Sequence, residues 1–78
     1  MPTVLRSDGF EVVIYTRDHL PRHVHVFRAG GGIVINLDDL SVREAKNLSG
    51  RDSRKAQELV AQNREFLITE WERIGPIS

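Results

Sequence analysis

The sequence predicts an α+β fold in which an antiparallel meander of three to four strands packs against one long C-terminal helix. Residues 3–38 contain short stretches of alternating apolar and polar residues, separated by glycine-containing turns, which is the pattern of antiparallel strands. Residues 50–74 repeat their apolar residues every three or four positions, as an amphipathic helix does. A chain of 78 residues has the size of one small domain, here residues 1–78.

The first two strands are predicted on either side of the Asp-Gly pair at residues 8–9, a dipeptide that favours tight hairpin turns. The first is expected within residues 3–6. The second is expected over residues 10–16, where β-branched and aromatic residues predominate. Pro21 keeps the connection that follows out of regular structure.

Residues 23–28 and 33–38 are predicted to form the next hairpin, joined by a four-residue loop at residues 29–32. The length of that loop sets the cross-strand partners, and it places Val26 opposite Ile35. The aliphatic side chains of the hairpin then share one face of the sheet.

The same register collects polar side chains on the opposite face. His23 is expected opposite Asp38, and His25 opposite Asn36. Histidine exchanges protons near neutral pH, and an aspartate beside it can fix its tautomer. The sequence therefore predicts a site for acid–base chemistry or phosphate binding, with His23, His25 and Asp38 as its candidate catalytic residues.

The C-terminal part begins with a connection over residues 39–48, in which residues 41–48 fit either a short strand or a helical turn. Ser49 and Asp52 form a capping-box pattern that predicts the start of a helix at residue 50. The helix is expected to run to about Ile74, where Gly-Pro follows. Its predicted apolar stripe comprises Ala56, Leu59, Val60, Asn63, Leu67, Trp71 and Ile74.

Basic side chains near the histidines are candidates for binding phosphate, because guanidinium groups match phosphate geometry. A second basic group opens the C-terminal helix, where cations oppose the helix dipole and favour an anionic partner. Ordinary solvation of loop and helix surfaces is the commoner explanation of both groups. The candidate substrate- or nucleic-acid-binding residues are Arg17, His19, Arg22, Arg28, Asn36, Arg51, Arg54 and Lys55.

Composition narrows the remaining classes of function. There is no cysteine, and 11 basic residues balance 11 acidic ones, so neither thiol chemistry nor a general affinity for nucleic acid is indicated. No segment has the pattern of a signal peptide or a membrane span, so a cytoplasmic location is expected, with no membrane partner. No cofactor is expected. A metal site through His23 and His25 remains an alternative, with Asp18, His19 or Asp38 as further ligands.

The motif His19-x-Pro21-x-His23-Val24-His25-Val26 resembles the small bacterial family catalogued as domain of unknown function 4160. The resemblance extends over nearly the whole chain, with one departure, because Arg22 stands where family members often have a second proline. The other matching segments are Met1-Pro2-Thr3-Val4-Leu5-Arg6, Gly9-Phe10, Ile14-Tyr15, Asp18-His19 and Asn63-Arg64-Glu65 through Trp71.

The resemblance implies a partner protein, because members of the family often look like one half of a two-gene, toxin–antitoxin-like module. We therefore expect a cytosolic protein that binds a small cognate protein from an adjacent gene. Its histidine-bearing sheet face would bind or act on phosphate or RNA. The alternatives are a non-enzymatic module that binds protein or operator DNA, and a metal-binding domain. A homodimer would add burial that so small a chain lacks.

Overall fold

The computed structural model describes residues 3–15 and 20–74 of the chain. Within these residues, five strands form one antiparallel sheet in the order β1-β2-β3-β4-β5, and two helices follow. The fold is therefore α+β, with more strands than predicted and two helices in place of one. The elements are β1 (Thr3–Ser7), β2 (Phe10–Val13), β3 (His23–Arg28), β4 (Gly31–Asn36), β5 (Val42–Lys46), α1 (Gly50–Gln62) and α2 (Arg64–Ile74).

Two-residue turns close the first and third hairpins of the sheet. Asp8 and Gly9 join β1 to β2, and both have positive φ, as the Asp-Gly signal predicts. Ala29 and Gly30 join β3 to β4 in the same way, with φ of 46° and 83°. Positive φ at both central residues matches the twist of the flanking strands. The four-residue loop predicted at residues 29–32 is therefore wrong.

The shorter turn moves the register of the central hairpin by two residues. His23 lies opposite Asn36, and His25 lies opposite Val34. The predicted pairing of His23 with Asp38 and of His25 with Asn36 is therefore wrong. A shift of two residues leaves every side chain on its own face, since the side-chain period of a strand is two. The prediction that the aliphatic residues of the hairpin share one face is therefore correct despite the shifted register.

The connection after the central hairpin contains a strand. Residues 41–48 had fitted either a strand or a helical turn, and Val42–Lys46 pairs with β4 as β5. The register shifts between the partners of Val34 and Ile35, which leaves Arg43 as the extra residue of a bulge. All five residues of β5 are exposed, as expected for a strand at the end of a sheet.

The C-terminal helix begins as predicted and breaks once. The backbone N–H of Asp52 donates to the Ser49 hydroxyl at 3.1 Å, which confirms Ser49 as the N-cap. Asn63 then leaves the helical conformation, and its side-chain amide donates to the Leu59 carbonyl at 2.9 Å. Asparagine side chains compete in this way for helix carbonyls. The prediction of one uninterrupted helix over residues 50–74 is wrong at this residue.

One apolar core lies between the sheet and the helices. Four positions of the predicted helical stripe are fully buried in it, Ala56, Val60, Leu67 and Trp71. The strands and the residues that directly follow β2 and β4 contribute Phe10, Val12, Ile14, Val24, Val26, Ile33, Ile35 and Leu37. Within the described ranges, neither helix has the length and apolar character needed to cross a membrane.

Gly31 provides a test of the close contact between β4 and the end of β5. A Cβ atom at Gly31 would lie 2.1 Å from the backbone oxygen of Asn47, and a backbone atom cannot move aside as a side chain can. We expect Gly31→Ala to lower the free energy of unfolding by about 1–3 kcal/mol, the usual cost of overpacking.

The matched control is Gly50→Ala, because a Cβ there meets nothing within 4 Å and alanine favours a helix. Urea unfolding of both variants checks the prediction. Equal stability of the two variants would contradict it.

Candidate functional site

The second face of the sheet carries the histidines, and we call it the histidine face. Its residues alternate along the strands with those that face the apolar core, although at one end the ring of His23 meets Trp71 of that core. Val13 lies on this face and is only 1% exposed, although it is not part of the main core. The face comprises Glu11, Val13, Tyr15, His23, His25, Phe27, Gly32, Val34, Asn36, Glu44 and Lys46.

Aromatic rings form a continuous row along this face. The ring centroids of His23 and His25 are 5.3 Å apart, and those of His25 and Phe27 are 6.3 Å apart and nearly parallel. Tyr15 meets His25 edge to face at 4.5 Å, and Trp71 continues the row beyond His23 at 5.3 Å. Edge-to-face and offset pairs at these distances are favourable. The histidines are thus part of a packed aromatic row.

His23 is the buried member of the row, at 5% exposure. Its Nδ1 atom lies 2.7 Å from the carbonyl oxygen of Pro21. A carbonyl only accepts hydrogen bonds, so the proton of this bond resides on Nδ1. The bond and the contact with Trp71 hold the ring in place, which gives His23 a structural role in addition to any chemical one.

Phe27 and His25 are the accessible members of the row. Phe27 is 38% exposed, and its ring covers Gly32 on the neighbouring strand, where a Cβ would lie 3.1 Å from the ring. His25 is half-buried. Glycine at position 32 therefore gives the Phe27 ring its place on the sheet.

An open groove of about 510 Å³ lies over this accessible part. Strand residues and hairpin turns line it, among them Val13, His25, Phe27 and Val34. Glu11, Glu44 and Lys46 supply both signs of charge around it. A surface that combines apolar and aromatic side chains with both signs of charge is typical of a protein–protein interface.

Asp38 is bound to Arg22 in the structure. The Arg22 guanidinium donates from Nε to the Asp38 carboxylate at 3.2 Å and pairs with Glu72 of α2 at 3.3 Å. The hydrogen bond to Asp38 raises the pKa of Arg22 above its usual value. Two carboxylates thus neutralise a residue that the sequence offered as a phosphate ligand, and Arg22 ties β3 to α2.

Arg28 is also engaged by the protein itself. It donates to the backbone oxygen of Asp8, pairs with Asp52 at 3.8 Å and lies 4.7 Å from the centre of the Phe10 ring. These contacts hold its cation against the end of the core and against α1. Arg28 also lines the groove, but its guanidinium is already paired with the carboxylate of Asp52.

Asn36 faces His23 across the central hairpin and anchors the turn that follows. Its amide nitrogen donates to the Ser41 hydroxyl at 2.9 Å, and that hydroxyl donates to Asp39 at 2.6 Å. The Ser41 bonds lower the pKa of Asp39 below its usual value. The amide oxygen of Asn36 is buried and has no hydrogen-bond partner among residues 3–15 and 20–74. The side-chain hydrogen bond of Asn36 therefore stabilises the turn that follows β4.

The remaining predicted residues fall into two groups. Arg51, Arg54 and Lys55 lie on α1, which packs on the core side of the sheet, so they do not join the histidine face. Arg17 and His19 lie outside the described residues, as does Asp18 of the metal hypothesis. Within residues 3–15 and 20–74, no group of three or more His, Asp or Glu side chains is placed to hold a metal ion.

Sequence reasoning missed Tyr15 and Phe27 as members of the site. Phe27 stands two residues after His25, so strand alternation alone places it on the same face. Tyr15 is two residues after Val13 and follows the same rule. The signal was present, but a polar face was expected there and these two aromatic residues were given no role in it. Trp71 was expected in the core or an interface, and it lies in the core.

The sequence profile of a protein family, described as Domain of unknown function (DUF4160), matches residues 9–72. The chain belongs to this family. The match covers the central hairpin, the histidine face from Glu11 onward, and most of both helices. No curated protein and no solved structure matches the chain.

The hydrogen bond from His23 predicts the tautomer of its neutral ring. Because Pro21 can only accept, the proton should reside on Nδ1, and Nε2 should be the unprotonated nitrogen. Nitrogen-15 chemical shifts from two- and three-bond correlations to the ring protons distinguish the two tautomers. A neutral His23 protonated on Nε2 would contradict the observed contact.

Proposed function

We propose that the chain is a non-enzymatic protein-binding module, and that the histidine face binds a small cognate protein encoded by an adjacent gene. The observation that carries this proposal is the pair of accessible rings, His25 and Phe27, that line the groove, with Tyr15 packed edge to face on His25. Aromatic residues on a water-accessible surface are the side chains that most often anchor protein interfaces. The cellular setting that we propose, a toxin–antitoxin-like pair in the cytoplasm, rests on the family resemblance.

The charges around the groove favour a protein over a nucleic acid. Binding to a phosphate backbone is driven by lysine and arginine side chains that release counterions. Two carboxylates, Glu11 and Glu44, stand beside Lys46 at the groove. Arg22 and Arg28 are paired with acidic side chains of the same chain. A partner that presents apolar side chains at its centre and both signs of charge at its margin fits this surface.

The arrangement of His23 and Asp38 favours binding over catalysis. A catalytic pair needs the carboxylate to orient the imidazole, and the neighbour that Asp38 binds is Arg22. The Nδ1 atom of His23 is directed at the Pro21 carbonyl, and its ring packs on Trp71. His23 is therefore better placed to stiffen the aromatic row than to transfer protons.

RNA binding through the same face is the second candidate, and one observation favours it. Nucleic-acid bases stack on exposed aromatic rings of sheets, and Phe27 and His25 offer two nearly parallel rings. RNA binding would weaken steeply with added salt, whereas an aromatic protein interface would respond weakly.

The proposal predicts that Phe27→Ser weakens binding of the neighbouring gene product by about 30-fold or more, the range of an interface hot spot. The matched control is Phe66→Ser, because Phe66 is similarly exposed at 46% but lies on α2. It should bind like the wild type. Titration calorimetry of the purified proteins measures both variants, with circular dichroism as a check of folding.

Absence of a complex between the wild-type proteins would overturn the proposal. Equal binding by the Phe27→Ser variant and the wild type would also overturn it. Tight, salt-sensitive binding of single-stranded RNA without any protein complex would favour the second candidate instead.

A further inference from the structure

The edge strand β5 has one side of its backbone that no other described strand covers. It is the last strand in the sheet order and pairs with β4 alone among the described strands. All of its residues are exposed, and Val42 is 42% exposed. An accessible edge of this kind is a template for pairing with another strand unless the sequence prevents it.

Charged side chains on an edge strand usually prevent such pairing. Here, however, the charges of one β5 are complementary to those of a second β5 that runs antiparallel to it. Glu44 and Lys46 project from the histidine face of β5, two residues apart. A second copy of β5 can run antiparallel to the first about a two-fold axis perpendicular to the sheet. With Ala45 on that axis, Glu44 of each copy lies opposite Lys46 of the other, which gives two opposite-charge cross-strand pairs.

The neighbouring symmetric registers bring like charges together. A shift of the axis to Glu44 sets that carboxylate against its own copy, and a shift to Arg43 does the same with two guanidinium groups. Like charges directly opposite each other destabilise a strand pair. Among these three registers, only the one centred on Ala45 avoids like-charge pairs. Its axis lies on the C-terminal side of the bulge at Arg43.

We propose that the chain forms a two-fold homodimer through antiparallel pairing of β5 with β5 of a second copy, with Ala45 on the axis and Glu44 opposite Lys46. The two sheets then become one continuous sheet, and the two histidine faces lie side by side on it. This inference goes beyond the proposed binding of a cognate protein, and it holds or fails without that partner.

The test is a charge exchange across the two-fold axis. Glu44→Lys and Lys46→Glu, made singly, each replace two opposite-charge pairs by two like-charge pairs. We expect each to raise the dimer dissociation constant by about tenfold or more. The double variant E44K/K46E restores opposite charges at both positions and should return the constant to within about threefold of the wild type.

Sedimentation velocity over a range of protein concentrations, without the cognate protein, measures all four proteins. Far-ultraviolet circular dichroism and thermal unfolding establish that each variant is folded. A wild type that stays monomeric up to millimolar concentration would overturn the proposal. Single variants that dimerise like the wild type, or a double variant that stays as weak as the singles, would also overturn it. Binding of the Phe27→Ser variant to the cognate protein is a separate measurement, so the two proposals can fail independently.

Discussion

The two-residue turn at Ala29 and Gly30 fixes the register of the central hairpin, and the arrangement of the histidine face follows from that register. Because both turn residues have positive φ, the strands pair directly from Arg28 and Gly31 onward. His25 therefore faces Val34, an apolar neighbour, and His23 faces Asn36. Phe27 faces Gly32, where an added Cβ would lie only 3.1 Å from its ring.

The same register determines which polar groups are available to bind a partner. Leu37 donates its backbone N–H to the carbonyl of Arg22, so the start of β3 and the end of β4 stay together. Arg64 at the start of α2 donates to the Leu37 carbonyl at 2.6 Å, and Arg22 joins Asp38 to Glu72. Together these bonds fasten α2 to the end of the sheet that carries His23. Arg22, Asp38 and Arg64 thus hold the fold together, so among the described residues of this region the aromatic rings are the main groups that can bind a partner.

The features that depend on local sequence patterns were predicted correctly. The register of the central hairpin, which depends on one turn, was not. Alternation in β2 and β3, the Asp-Gly turn and the Ser49 cap are local features, and each was predicted correctly. The predicted register was wrong because of Ala29. Alanine seldom adopts positive φ, and the glycines after it suggested a longer loop. The break at Asn63 was hidden because the residue continues the periodic stripe. The roles of Arg22 and Asp38 depend on contacts far apart in the chain, which no local pattern encodes.

The register of the central hairpin separates His23 from Asp38 and sets His25 beside an apolar neighbour, Val34. Cross-strand nuclear Overhauser effects in the labelled protein test it most directly. The structure predicts backbone contacts between His25 and Val34 and between His23 and Asn36. Contacts between His25 and Asn36 together with His23 and Asp38 would contradict it, and they would restore the polar pairing that an acid–base site requires.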